Sequence, residues 1–129
     1  MAGATGEASK RIESHRDLIV WQKSMDLVVQ VYDLTSRFPD SERYRLVAQS
    51  TRAAASVPAN IAEGHARGTR RDFANFVAVA KGSLMETETF LLLSIRLGYL
   101  NHAQADLTLD LITEISKMLT ALRQKLLRG

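Results

Sequence analysis

The sequence predicts an all-α fold, an antiparallel up-down-up-down four-helix bundle, on three observations. Breakers are scarce, with 7 Gly and 2 Pro in 129 residues. Apolar residues recur at three- and four-residue steps, and no run alternates with period two. Turn signals cluster at Phe38-Pro39-Asp40, at Gly68-Thr69 and from Gly98 to Asn101, leaving four long segments joined by short connections. Short connections between long helices force neighbours to run antiparallel. With 46% hydrophobic and 24% charged residues, a chain of this length can bury one core without cross-links.

Residues 1–16 are small, polar and aperiodic, and are expected to form a flexible tail; residues 17–129 form the bundle domain. Asp17 is placed to cap the first helix, which runs to about residue 37, where Phe38-Pro39 stops it. This helix carries two apolar stripes. Leu18, Trp21, Met25, Val28 and Tyr32 form one; Val20, Leu27, Val31, Leu34 and Phe38 form the other, roughly 115–120° away at ~100° per residue. Either the helix is sunk deep in its own monomer, or one stripe meets another copy. The second stripe is assigned to an oligomer interface, because large exposed apolar strips mark contact surfaces.

Ser41 is placed to cap the second helix, which reaches Ala66 and closes at Gly68. Ala48, Ala55, Ala59, Ala62 and Ala66 form a stripe of small side chains, which lets a neighbouring helix approach closely. Pro58 cannot donate to the carbonyl of Ala54, so a kink is expected there, with Ser56 partly satisfying freed carbonyls; the alternative is a true break capped by Ser56. Thr69 and Asp72 make a weaker form of the capping box at the start of the third helix, which runs to Leu97. Phe73, Val77, Ala80, Leu84 and Leu91 mark its apolar face. Asn101 and Gln104 supply the last cap, and Leu107, Leu111, Ile115, Met118, Leu122 and Leu126 carry the fourth helix to about residue 127.

Composition excludes several chemistries. Without cysteine there are no disulfides, thiolate nucleophiles or iron–sulfur clusters. No uncharged apolar run approaches the ~20 residues of a membrane span, and the N-terminus lacks the order of a signal peptide, so no membrane partner and a cytoplasmic location are expected. His15, His65 and His102 have no partner at ligand spacing, and no Glu-x-x-His motif exists. There is no phosphate-binding glycine loop; Gly64 and Gly68 read as helix-end residues. Glu86 and Glu88 project about 200° apart on a helix and cannot share a site; such a carboxylate is expected to bond an interhelical arginine, Arg52 being one candidate, or solvent. No catalytic residue, metal or cofactor is assigned.

The segment Ser56-Val57-Pro58-Ala59-Asn60-Ile61-Ala62-Glu63-Gly64 resembles the signature of the four-helix-bundle proteins encoded in intervening sequences of bacterial 23S ribosomal RNA genes. Asp17 to Met25 is similar to that family's opening helix, Phe38 to Tyr44 to its first turn, Gly82 to Thr89 to a later helical segment, and Leu97-Gly98-Tyr99-Leu100 to its last turn. The resemblance covers residues 17–127 and departs after Gly64, where His65-Ala66-Arg67 replaces an aromatic. It implies a ring-shaped homo-oligomer, a pentamer, and no settled biochemical activity.

Charge placement says more than net charge, which is only +3. In this topology one pole collects the start of the first helix, the second turn and the end of the fourth helix. Lys10, Arg11, Arg16, Arg67, Arg70, Arg71, Arg123, Lys125 and Arg128 gather there against Glu7, Glu13, Asp17, Glu63 and Asp72. Cations near helix C-termini suit the macrodipole whatever the function, whereas Arg70 and Arg71 at a helix start are disfavoured by a few tenths of a kcal/mol. A functional demand for positive charge would account for them. The expected function is therefore a non-enzymatic adaptor that contacts RNA or DNA phosphates through Arg67, Arg70, Arg71, Arg123, Lys125 and Arg128. The alternative is a scaffold that recruits a partner protein.

Overall fold

The computed structural model describes residues 14–128, which form four long helices: α1 (Ile19–Thr35), α2 (Ala48–Ala66), α3 (Arg70–Arg96) and α4 (His102–Arg128). There is no strand among the described residues. Each helix packs against its sequence neighbours, and α4 closes the bundle against α1. Residues 1–13 of the expected tail, with Glu7, Lys10, Arg11 and Glu13, lie outside the described residues, as does Gly129.

The first correction is at the entry to α1. Residues 14–16 are not part of a tail: they open a 3-10 turn, His15–Asp17, capped by Ser14. The Ser14 hydroxyl accepts from the Arg16 amide at 3.2 Å, and the Asp17 carboxylate accepts from the Ser14 amide at 3.2 Å. Asp17 thus closes this turn instead of capping α1, because extended Leu18 (φ −78°, ψ 124°) separates the two.

Between α1 and α2 the chain makes a 3-10 turn, Asp40–Glu42, and then a π-helical turn, Arg43–Val47. The cap of this region is Glu42, whose buried carboxylate accepts from the Leu46 amide at 3.4 Å and from the Tyr99 hydroxyl at 2.9 Å. Ser41 is exposed and caps nothing, since Pro39 starts the 3-10 turn one step too early for it. Pro58 lies inside a continuous α2, which excludes the true break. Ser56 does not turn back to the freed carbonyls: its hydroxyl meets Ser83 on α3 at 2.8 Å, and the Asn60 side-chain Nδ2 donates to the Ser56 carbonyl at 2.8 Å.

The Asn101–Gln104 cap forms as read, and the Thr69–Asp72 box forms by its Thr69 half alone. The Asp72 amide donates to the Thr69 hydroxyl at 3.1 Å. Asn101 and Gln104 make a reciprocal pair, at 2.9 Å and 2.8 Å. Gly68 (φ +89°) and Gly98 (φ +83°) end α2 and α3 in the left-handed region, where a side chain is strained. Gly64 is a packing residue, not a helix end. A Cβ there would lie 2.6 Å from the Phe76 Cβ and 3.0 Å from the Phe73 ring, so glycine sets how closely α2 approaches α3.

The core corrects both stripe assignments. Val20, Leu27, Val31, Leu34 and Phe38 are all buried in the monomer, with Leu27 and Val31 fully so, among Val57, Ile61, Leu84, Leu91, Ile112, Ile115 and Leu119. They are core and not an oligomer interface. The other stripe looks outward: Met25 and Tyr32 are exposed, and Leu18, Trp21 and Val28 are half-buried. The choice follows from where α4 lies. Lys23 pairs with Glu114 at 3.0 Å, and Gln30 accepts from the Thr108 hydroxyl at 2.7 Å, which fixes the α4-facing edge of α1. Trp21, Val28 and Tyr32 fall roughly 140–180° from that edge at ~100° per residue. The alanine stripe of α2 is also outward or half-buried; Ala53, Ala54 and Gly64 are the small residues that are buried.

Candidate nucleic-acid interface

The basic pole is assembled by four separate segments. Leu18, His65, Gly68, Thr69, Arg70, Phe73 and Leu126 line one shallow depression there, so the entry turn, the end of α2, the start of α3 and the end of α4 adjoin. His15 meets Trp21 edge-on at 5.0 Å, and His65 meets Phe73 at 5.6 Å, which holds these segments against the bundle. Seven basic residues of the described chain sit on these segments (Arg16, Arg67, Arg70, Arg71, Arg123, Lys125 and Arg128) against Asp17, Glu63 and Asp72.

The six assigned cations differ in what they do. Arg70 is a structural cap: its guanidinium donates to the carbonyls of Lys125 at 2.8 Å and Leu126 at 3.2 Å. The negative end of α4 therefore accounts for a cation at the positive end of α3, and Arg70 needs no functional explanation. Arg67 pairs with Glu63 at 3.0 Å and lies over the Phe76 ring, 4.9 Å from its centroid. Arg71, Arg123, Lys125 and Arg128 are exposed and form no ion pair with any described residue. Arg123 stands to one side, lining the groove between α3 and α4 with Lys81. Lys81 escaped the sequence reading because it is 42 positions from Arg123 and only the register of α3 on α4 joins them.

The opposite pole is built differently. Arg37 pairs with Asp33, Arg43 with Asp40 and Arg45 with Glu42, at 3.7 to 3.9 Å. Three of its four arginines are thus matched locally; Arg96, at the end of α3, is exposed and pairs with no described residue. Tyr99 stands there 5.4 Å from Phe38, and its hydroxyl is held by Glu42. That hydrogen bond, with burial and the carboxylate's charge, pushes the phenol above its ordinary value of 10.0.

Among the described residues no group of three or more His, Asp or Glu side chains is placed to hold a metal. Glu63 pairs along its own helix with Arg67, and Arg52 and Glu86 line one groove without an ion pair, so of the two expected settings, an interhelical arginine or solvent, exposed Glu86 takes the second. No helix of the described chain is long and apolar enough to cross a membrane.

No curated protein matches the chain. A crystal structure described as a protein with unknown function from the S23 ribosomal protein family, from Bacteroides thetaiotaomicron, is similar over 81% of this chain and 98% of its own. The two share 29% sequence identity and superpose with a TM-score of 0.73. The family model of the 23S rRNA-intervening sequence protein matches residues 16–121, which span α1 to α3 and most of α4. The match therefore takes in the bundle and three of the segments that build the basic pole, and the chain belongs to the 23S rRNA-intervening sequence protein family.

Proposed function

We propose that the chain is a non-enzymatic adaptor, assembled from several copies, that contacts the phosphate backbone of structured RNA or DNA through its basic pole. One observation carries this reading. Arg71, Lys125 and Arg128 lie on two helices at one end, with Arg123 in the adjoining groove, and none pairs with a carboxylate among the described residues, while the arginines in the first turn at the other end are paired. Unpaired cations give up no ion pair on meeting phosphates, and each neutralised phosphate releases a counterion. The aromatic rings at this pole are half-buried and engaged with His15, His65 and Arg67, which leaves little for base stacking. The reading is therefore of backbone contact without sequence selection. In a closed ring every copy would turn the same pole to the same side, raising avidity through effective concentration.

Fluorescence anisotropy of a labelled RNA hairpin and a DNA duplex, titrated across salt, tests it. Binding is expected to weaken linearly on a log–log salt plot. Replacing Arg71, Arg123, Lys125 and Arg128 by Gln should flatten the slope by roughly one for each phosphate that is no longer neutralised. Arg43→Gln at the opposite pole should change nothing. Arg70 is left intact, because losing its cap would perturb α4 as well as charge. Absence of binding at low ionic strength overturns the reading.

A second reading, a scaffold for a partner protein, has its own support. Met25, Val29 and Tyr32 leave a contiguous apolar strip on α1, with Val29 68% exposed. It predicts a defined protein complex that survives nuclease and Arg71→Glu.

A further inference from the structure

We propose that the groove between α3 and α4 binds a small organic monoanion with an apolar body, a medium-chain or aryl carboxylate. The inference does not depend on the nucleic-acid reading. The groove encloses about 400 Å³, within the roughly 300–1,000 Å³ typical of small-molecule sites. Its floor is apolar, built from Val77 and Leu119, both essentially buried, with Met85 half-buried at one end.

The charge lies at the other end. The Lys81 ammonium is partly withdrawn from water and donates to the Thr120 hydroxyl at 2.6 Å. No described carboxylate is within ion-pair reach of it or of Arg123, which lines the same groove one turn beyond Thr120. A partly desolvated ammonium held by a neutral hydroxyl lacks the anion that would compensate it. Met85 lies one helical turn along α3 from Lys81, so the groove has a cationic head and an apolar tail. That polarity matches one negative group on an apolar body.

Gly82 is the second, independent observation. Glycine weakens a helix interior relative to alanine, and Gly82 lies in the middle of the 27-residue α3. Gly64 is explained by the phenylalanines packed against it, but a Cβ on Gly82 would meet nothing within 4 Å. Packing inside the chain does not require this glycine. A ligand body lying against the backbone beside Lys81 would account for it.

The probes are decanoate, decanol of the same chain length, and inorganic phosphate, titrated into the full chain by calorimetry and by amide NMR. Decanoate should saturate at one per chain, with shifts centred on Ala78, Gly82, Thr120 and Arg123. Lys81→Gln and Arg123→Gln should each weaken it about tenfold, as expected when one charge-assisted hydrogen bond is removed. Gly82→Leu, which suits a helix and fills the groove, should abolish binding while circular dichroism and Tm show the fold intact. Decanol and phosphate should compete poorly. The proposal is overturned by failure to saturate, by shifts centred on α1, by equal binding of decanol or phosphate, or by a folded Gly82→Leu that still binds.

Discussion

At the residue scale, the two interior glycines separate packing from exposure. Gly64 lets α2 lie against α3 at a spacing that Phe73 and Phe76 close completely. Gly64→Ala must push a Cβ into the Phe76 Cβ, and backbone or ring has to move. The expected cost is about 1–3 kcal/mol, the range for overpacking a core. Thermal unfolding should show a Tm lower by several degrees; an unchanged Tm would mean that α2 and α3 are not held together at this point. A sequence reading of Gly64 as a helix end missed this, because spacing from Gly68 looks the same whether a glycine terminates a helix or admits a neighbour. Arg70 is a similar case. Its position looked unfavourable on its own helix and becomes favourable only against the carbonyls of Lys125 and Leu126, 55 and 56 positions away.

At the element scale, the turn between α1 and α2 is fastened by one buried carboxylate. Glu42 caps the π-helical turn through Leu46 and holds Tyr99 in the turn between α3 and α4. Because Tyr99 is raised above 10.0 in the fold, the stability from this link is whole below that pH. It is lost as the pH climbs through the folded value, when phenolate faces carboxylate. Glu42→Gln keeps an acceptor and removes the charge. Its ultraviolet titration should show one phenolate appearing at lower pH than in the parent, and its Tm deficit should shrink under alkaline conditions. A titration curve identical to the parent would show that Glu42 does not control Tyr99. The caps at Thr69 and Asn101 were legible beforehand because cap and helix are contiguous in sequence. The caps at Ser14 and Glu42 were not, since short 3-10 and π turns displace the cap by residues that periodicity does not register.

At the scale of the whole molecule, the bundle leaves apolar side chains exposed on several helices, and those of α1 form a contiguous strip. Met25, Val29 and Tyr32 of α1 are exposed, and α2 offers Ala55, Ala59 and Ala66 on its outward side. We expect copies to meet there. Met25→Glu with Val29→Glu should leave a folded chain, since exposed substitutions typically change stability by about 0.5 kcal/mol or less. Light scattering should then report monomer where the parent is oligomeric. Leu27→Glu places an unpaired carboxylate in the core and should unfold the chain instead. A parent that is monomeric at micromolar concentration, or a double variant that stays assembled, removes this face from the interface.

The sequence by itself determined the four helices, their antiparallel order and the gathering of positive charge at one end, because these follow from periodicity, breakers and connection length, all local properties. It also determined that α1 has two apolar stripes. Which stripe is core was decided only by the tertiary structure: a helix can rotate about its axis without changing its sequence pattern, and burial of Leu27 and Val31 in the shared core, with the Lys23–Glu114 and Gln30–Thr108 contacts at the α4 edge, sets that rotation. The same holds for the charges. Whether an arginine caps a neighbour, rests on a ring or stays free for a partner depends on atoms brought close by packing, which no spacing along the chain records.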